Sequence, residues 1–421
     1  MVNGRQLTAQ GTATGPDSIL IENGRITAVG ADADRREAAQ QLDASDCWVT
    51  PAFIDLCCYL REPGNSQKGN IASETLAAAR GGFATVCASP ESSPVNDSTA
   101  VTHLIRDTAS ARGAIRVLPI GAATRGLEGE LLSDMAGLSS AGCVAFSNGS
   151  GVFSNARVLR RCMAYAQTFG FTLMLQPRNQ ALSADGFAHD GLVAARLGLL
   201  GIPEVAETAA VMEMLLLAEE AGVRLHLSQL STARSVDMVA AAQQRGVAVT
   251  ADVAMHHLVL TETALSGFDS RFHVLPPLRT EADRLRLLAG VRDGVIGSIV
   301  SQHQPQDPAA KRAPLGETGP GLSAVESVLS LGLTLVERDE LTLTQLVGAL
   351  TQGPAAVLDR PAPGLDVGAE ADICIFDPQA TWVAGVNTLV SMGKHAPVTG
   401  TPLPGVVRFT LSGGRLAWPA G

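Results

Sequence analysis

Pro51-Ala52-Phe53-Ile54-Asp55-Leu56-Cys57-Cys58-Tyr59-Leu60-Arg61-Glu62-Pro63-Gly64 runs from an apolar stretch into a polar turn, and its order of residues decides the architecture. A short apolar run bounded by turn residues reads as a buried strand. Helical periodicity then leads to Gly81-Gly82, where the next apolar run begins at Phe83. Short buried strands separated by longer amphipathic helices are the signature of a parallel sheet with helical crossovers.

The same unit repeats along the chain. Strands are expected near 52–59, 83–89, 115–121, 143–148, 171–176, 223–229, 247–253 and 295–302. Gly81-Gly82, Gly170, Gly222 and Gly246 stand between a helix and the following strand, where glycine supplies the left-handed cap. Eight such repeats predict an α/β fold of the closed (β/α)8, TIM-barrel type rather than a doubly wound open sheet.

Both ends of the chain read differently. Residues 17–30 alternate around Asn23-Gly24, a two-residue hairpin signal. Ala371-Asp372-Ile373-Cys374-Ile375-Phe376 and Val406–Trp418, broken at Gly413-Gly414, also read as strands. The expected organisation is a barrel domain over 51–361 and a small composite β domain built from 1–50 plus 362–421.

Composition removes several function classes. The 421 residues carry a net charge of −10 and no basic runs, so a nucleic-acid backbone would meet mostly repulsion. The start lacks the layout of a signal peptide, and no apolar stretch approaches the roughly 20 residues that span a bilayer. A cytoplasmic protein without nucleic-acid or membrane partners is expected. Its seven cysteines contain no CxxC pair and read as reduced thiols. Motifs of the G-x-S-x-G, HExxH and P-loop types are absent.

Barrel enzymes work at the C-terminal ends of their strands, and these ends are neutral here. The fourth strand leads into Phe146-Ser147-Asn148-Gly149 and the fifth into Gln176-Pro177-Arg178-Asn179, while the sixth ends at Gln229 and the eighth at Gln302. Pro51–Leu56 followed by Leu60-Arg61-Glu62-Pro63-Gly64 resembles the dihydroorotase segment that encloses a His-x-His pair. The resemblance continues through Gly81–Val86, Val144–Ser147, Gly201-Ile202-Pro203 with Glu207, Leu230–Arg234, His256-His257-Leu258 and Pro276–Arg279, and so covers nearly the whole chain.

In that family, a branch of the amidohydrolase superfamily, a His-x-His pair, a bridging lysine or aspartate, two further histidines and an aspartate hold zinc for amide-ring hydrolysis. By this resemblance the histidine pair is replaced by Cys57 and Tyr59, the acidic pair by Asn148 and Gly149, the later histidines by Gln176 and Gln229, and the catalytic aspartate by Gln302. Zinc needs three or four anionic or imidazole donors to bring bound water to a pKa of about 7, and neutral amides do not supply them. Cys57 alone is a good ligand type, and Cys58 faces the opposite side of the strand.

Other candidates do not rebuild the set. His226, three residues before Gln229, and His303, beside Gln302, should face away from the replaced positions if their strands alternate ideally. Lys68, Lys311 and Lys394 lie at no strand end. His256 and His257 read as loop histidines satisfied by backbone, and Cys57 and Cys143 as small core residues. Glu91 and Leu275 replace asparagines of the family, and Glu91 would repel a carboxylate substrate. Arg61 keeps the family's carboxylate-binding position, either as a residual anion contact or as a partner for an acid within the cavity. Glu204–Ala221, with Val211, Met214, Leu215 and Leu217, reads as a barrel helix packed on its strands.

Within the family, the motifs around Arg61-Glu62-Pro63-Gly64, Lys68–Thr75 and Ser301-Gln302-His303-Gln304-Pro305 look like the inactive, pseudoenzyme branch. That branch serves as a structural partner of bacterial aspartate carbamoyltransferase in pyrimidine biosynthesis. The resemblance therefore implies no catalytic, cofactor-binding or metal residues, no cofactor, and a complex of six copies of this chain with six of the aspartate carbamoyltransferase catalytic chain. Two other functions are open. One is an active cyclic-amide hydrolase, dihydroorotase or hydantoinase-like, with a rearranged mononuclear site from Cys57, His226 or His303. The other is a metal-free sensor of a pyrimidine intermediate through Arg61 and Arg178.

Overall fold

The computed structural model describes residues 1–419, apart from the side chains at 13, 14, 16 and 419; the last two residues of the expected 362–421 segment lie outside it. Eight parallel strands form the central sheet in simple sequential order. They are β1 (Phe53–Cys58), β2 (Phe83–Ala88), β3 (Arg116–Ala122), β4 (Ala145–Ser147), β5 (Thr172–Leu175), β6 (Arg224–Leu227), β7 (Val249–Ala254) and β8 (Ser298–Val300). The sheet closes on itself where Cys58 bridges His303 in parallel and the Tyr59 N–H donates to the His303 carbonyl at 2.8 Å.

The closing seam has a polar clasp. Buried Asp55 accepts from the Ser301 N–H at 3.0 Å, from the Ser301 hydroxyl and from the Cys57 N–H at 3.3 Å. Desolvation by burial raises its carboxyl pKa to about 6, against the lowering effect of those bonds.

Helices surround the barrel: α1 (Ile71–Arg80), α2 (Thr99–Arg112), α3 (Met135–Ala141), α4 (Ala156–Phe169), α5 (Val205–Ala221), α6 (Ala233–Gln244), α7 (Glu281–Arg292) and α8 (Val328–Glu337). Their ends are set by local chemistry. Asn70 and Thr280 form capping boxes at α1 and α7, Asn155 and Thr232 cap α4 and α6, and Gly170 and Gly222 close α4 and α5 in the left-handed conformation. Leu56, Ile120, Met174, Ala254 and Val300 fill the lumen, while Phe53, Leu173, Leu225, Val253 and Ile299 belong to the layer beneath the helices.

A separate six-stranded sheet is assembled from both termini. It draws on Gly4–Thr8, Gly11–Asp17, Trp48–Pro51, Ile373–Val383, Pro402–Ser412 and Arg415–Pro419. The expected hairpin is present as Ile19–Glu22 paired with Arg25–Val29, and Asn23 and Gly24 take φ of 52° and 79° at its turn. This sheet is tied into the barrel by buried polar contacts. Thr410 donates to the Ala79 carbonyl, and Trp382 Nε1 donates to Ser330 Oγ. The Val390 and Ser391 N–H groups reach Glu326, and the Met392 N–H and the Ser391 hydroxyl reach Glu74. No helix among the described residues is long and apolar enough to cross a membrane.

Candidate functional site

The C-terminal mouth of the barrel gathers the residues singled out by sequence. Cys57 ends β1, Tyr59 and Arg61 follow it, Asn148 and Gly149 follow β4, Gln176 follows β5, and Gln229 and Gln302 lie just beyond β6 and β8. Several of these positions hold left-handed backbone: φ is 62° at Arg61, 57° at Gly149, 53° at Gln229 and 49° at Gln302. For a non-glycine residue this conformation costs about 1–2 kcal/mol and concentrates at built sites. Gln229 and Gln302 carry neutral amides there, yet the backbone keeps the shape of a site.

Those side chains bond mainly to one another or to backbone. Gln176 Nε2 donates to Gln229 Oε1 at 3.1 Å, and Gln302 Nε2 donates to the Leu275 carbonyl at 2.7 Å. The same carbonyl lies 3.4 Å from Gln176 Nε2. Asn148, almost fully buried, accepts from Thr124 Oγ1 at 2.5 Å and donates to the Leu127 carbonyl at 3.3 Å. Gln176, Gln302 and Asn148 thus point donor nitrogens at acceptors, while Gln229 accepts through its oxygen and Gln302 Oε1 is buried without a partner.

Tyr59 and Glu91 fill the other side of the mouth. The Tyr59 hydroxyl donates to Glu91 Oε2 at 2.6 Å, and the Ser150 hydroxyl donates to Glu91 Oε1. A Cβ built on Gly149 would lie 2.6 Å from the Glu91 side chain, so the missing side chain at 149 makes room for that carboxylate. Burial is the main cause that pushes the Tyr59 hydroxyl well above its usual pKa, with Glu91 adding to it, which leaves Tyr59 a neutral donor. Sequence reading named Tyr59, Gly149 and Glu91 separately and missed that they form one unit.

This donor set does not fit zinc. Burial, and then Asp55, Asp252 and Glu91, hold the Cys57 thiol well above its ordinary pKa, so it is not a ready thiolate. Among the described residues no three His, Cys, Asp or Glu side chains converge as ligands. His303 faces out of the barrel as expected. Its Nδ1 accepts from the Ala324 N–H at 3.1 Å, which leaves Nε2 to donate to Glu74 Oε2 at 2.8 Å. The lysines are engaged elsewhere: Lys68 with Gln306, Lys311 with the Ser270 and His273 carbonyls, and Lys394 with the Leu389 and Ser391 carbonyls.

Three expectations about this centre need correction. His226 points into the lumen, because it is in register with the lumen residue Met174; the left-handed Gln229 breaks the alternation that placed it outside. It sits below the mouth, held by Asp252 at 2.8 Å and Thr250 at 2.9 Å. Of the two adjacent histidines, His257 contacts the Pro277 carbonyl at 3.3 Å, but both ring nitrogens of buried His256 lack a partner. Arg61 enters no ion pair among the described residues: its Nε donates to the Pro305 carbonyl at 2.9 Å, its guanidinium lies over the Tyr59 ring, and Nη2 is buried without a partner. Arg178 donates from Nη2 to the Ser150 carbonyl and leaves Nε unpartnered beside a cavity of about 470 Å³ that reaches Gln176 and Gly149.

The matching motifs outside the mouth form a buried brace. Glu207 on α5 accepts from the Ser231 N–H at 3.0 Å, the Thr232 N–H at 3.1 Å and the Ser231 hydroxyl. Arg279 Nε donates to Ser231 Oγ at 3.1 Å, and its Nη1 donates to the Ile202 carbonyl at 2.7 Å. Three separated segments that carry the family pattern thus meet in one structural cluster.

Comparisons with known proteins agree with this architecture. Residues 48–235 match the family model described as dihydro-orotase-like. A dihydroorotase-like protein of Pseudomonas aeruginosa is 47% identical over 396 residues, covering 94% of this chain and 93% of the relative. A dihydroorotase of Syntrophotalea carbinolica is 38% identical over 418 residues, covering 99% and 98%. Among solved structures, the L-hydantoinase of Arthrobacter aurescens superimposes with a TM-score of 0.89 over 100% of this chain and 95% of its own, at 23% identity, a likeness of fold.

Proposed function

Because the chain belongs to the dihydroorotase-like family, we propose that it is a non-catalytic member which scaffolds or stabilises aspartate carbamoyltransferase in a pyrimidine-biosynthesis complex. The observation that carries the reading is the state of the mouth. Gln176 and Gln229 bond to each other, Gln302 bonds to backbone, and Tyr59 bonds to Glu91. Gln176, Gln229 and Gln302 are neutral amides and do not replace the anionic or imidazole donors by which the family's zinc would activate water. The frame around them is held by the Glu207 brace and the Asp55 clasp. A fold kept in good order around a centre without reactive groups suits a protein that acts through its surface.

Co-expression with the carbamoyltransferase of the same organism, followed by native mass measurement, tests this. The expected result is a joint assembly with six copies of each chain; separate migration removes the scaffold reading.

One observation favours a second reading, ring-opening of a cyclic amide: relatives 37–38% identical over almost the whole chain are named dihydroorotase. Metal analysis and a dihydroorotate assay on the purified protein separate the two. Stoichiometric zinc with turnover selects the hydrolase.

A further inference from the structure

A second cavity, of about 390 Å³, lies at the end of the barrel opposite the mouth. It opens beside the N-terminal halves of β1, β2 and β3 and is walled by the segment 358–372, which leads from the barrel into the terminal sheet. Arg25, at the start of the second hairpin strand, completes the wall. The cavity is therefore bounded by the barrel and by both ends of the chain, a junction of the kind where small-molecule sites concentrate, and its volume falls in their usual range.

The charges around it are not balanced. Arg116 donates to Asp372 at 2.7 Å, to Thr85 Oγ1 at 3.1 Å and to Glu370, so this one guanidinium holds both carboxylates of the lining. Arg25 and Arg360 are left over. Arg25 uses only Nη1, on the Gly368 carbonyl at 2.8 Å, and the Arg360 side chain makes no hydrogen bond; neither enters an ion pair among the described residues. Asp359, next to Arg360 in the chain, is paired with Arg224 instead. Three guanidiniums against two carboxylates leave the cavity positive in a chain whose net charge is −10. A free guanidinium presents a fork of donors that matches a carboxylate.

The inner end of the cavity is apolar. Ile54, Leu118 and Leu358 belong to the cluster that fills the lumen, and Pro361 and Pro363 give the outer wall a stiff backbone. Burial and then Asp55 raise the pKa of the Cys87 thiol in that cluster, while the Arg360 charge acts against them, which places this guanidinium close to the lumen layer. An apolar floor with two uncommitted guanidiniums beside it fits a ligand of the same make, a compact apolar body that carries one anionic group.

We propose that this cavity binds a small organic carboxylate, with its apolar body against Ile54, Leu118 and Leu358 and its charge on Arg25 and Arg360. The site is at the far end of the barrel from the mouth, so the assignment holds whether the chain scaffolds or hydrolyses. Calorimetric titration of the purified protein with benzoate should show one saturable site with a Kd of about 1 mM or below. Benzamide keeps the body without the charge, acetate keeps the charge without the body, and each should bind at least about tenfold more weakly. R360E should weaken benzoate at least about tenfold while leaving the melting temperature of the free protein unchanged, because the Arg360 side chain bonds to nothing in the fold. R178S, altered at the mouth, should bind benzoate as the wild type does. The absence of saturable heat with benzoate overturns the proposal, and so does equal affinity for benzoate and benzamide or equal affinity in R360E and wild type. Loss of binding in R178S would put the anion at the mouth and overturn it as well.

Discussion

Tyr59 donates its hydroxyl to Glu91 inside the protein, and removing that one oxygen leaves a carboxylate short of a donor. Bonds to charged acceptors contribute about 1.5–3 kcal/mol, so Tyr59→Phe should lower unfolding stability by that amount in urea titrations. An unchanged midpoint would mean that the Ser150 and Ser89 hydroxyls satisfy Glu91 without Tyr59. Asp55 makes a second prediction at this scale. Its folded pKa of about 6 lies above the ordinary 3.8, so the folded state binds the proton more tightly. Its contribution to stability is therefore full below about pH 4 and is lost as pH rises to about 6, a change of about 3 kcal/mol. In Asp55→Asn the amide keeps the oxygen contacts and donates to the Ser301 hydroxyl without titrating. Relative to wild type, the variant should gain about 3 kcal/mol over that pH interval. A flat difference would show that Asp55 is ionised throughout.

At the scale of elements, the Glu207 brace fixes α5 to the loop after β6. Glu207 accepts from Ser231 and Thr232 in a buried setting, and Glu207→Ala leaves two backbone N–H groups and the Arg279 charge without it. A loss of about 3–5 kcal/mol is expected, with hydrogen exchange rising first at Leu230–Ala233. Protection unchanged at those amides would place the anchor of α5 elsewhere. The elements themselves were legible because parallel strands buried on both faces read as short apolar runs, and because the caps Asn70, Asn155, Thr232 and Thr280 act within one turn.

For the whole molecule, the two sheets are interlocked. Buried Glu74 and Glu326 of the barrel take their hydrogen bonds from Val390, Ser391 and Met392, and Thr410 bonds to Ala79. A chain ended at Arg360 loses these donors and leaves Glu74 only its His303 and Ser73 contacts and Glu326 its Arg80 pair, so it should lose its near-ultraviolet circular dichroism while keeping helix signal, the mark of lost side-chain packing. A cooperative melt of the truncated chain would show that the barrel stands alone.

What the sequence by itself determined is local: the strand and helix repeat, the Asn23-Gly24 hairpin, the neutral residues at the strand ends and the family pattern around them. The expected ligand positions were read by resemblance from their neighbours in the chain, such as Asp55 and Arg61 around Cys57 and Tyr59. The tertiary structure decided what those residues do. It paired Tyr59 with Glu91 across 32 positions and Gln176 with Gln229 across 53, and it left Arg61 without an acid. It also turned His226 into the lumen, because a left-handed residue at 229 overrides the alternation that local pattern assumes. The reason is physical: hydrogen-bond partners and strand register depend on distances between segments far apart in the chain, and only the closed barrel sets those distances.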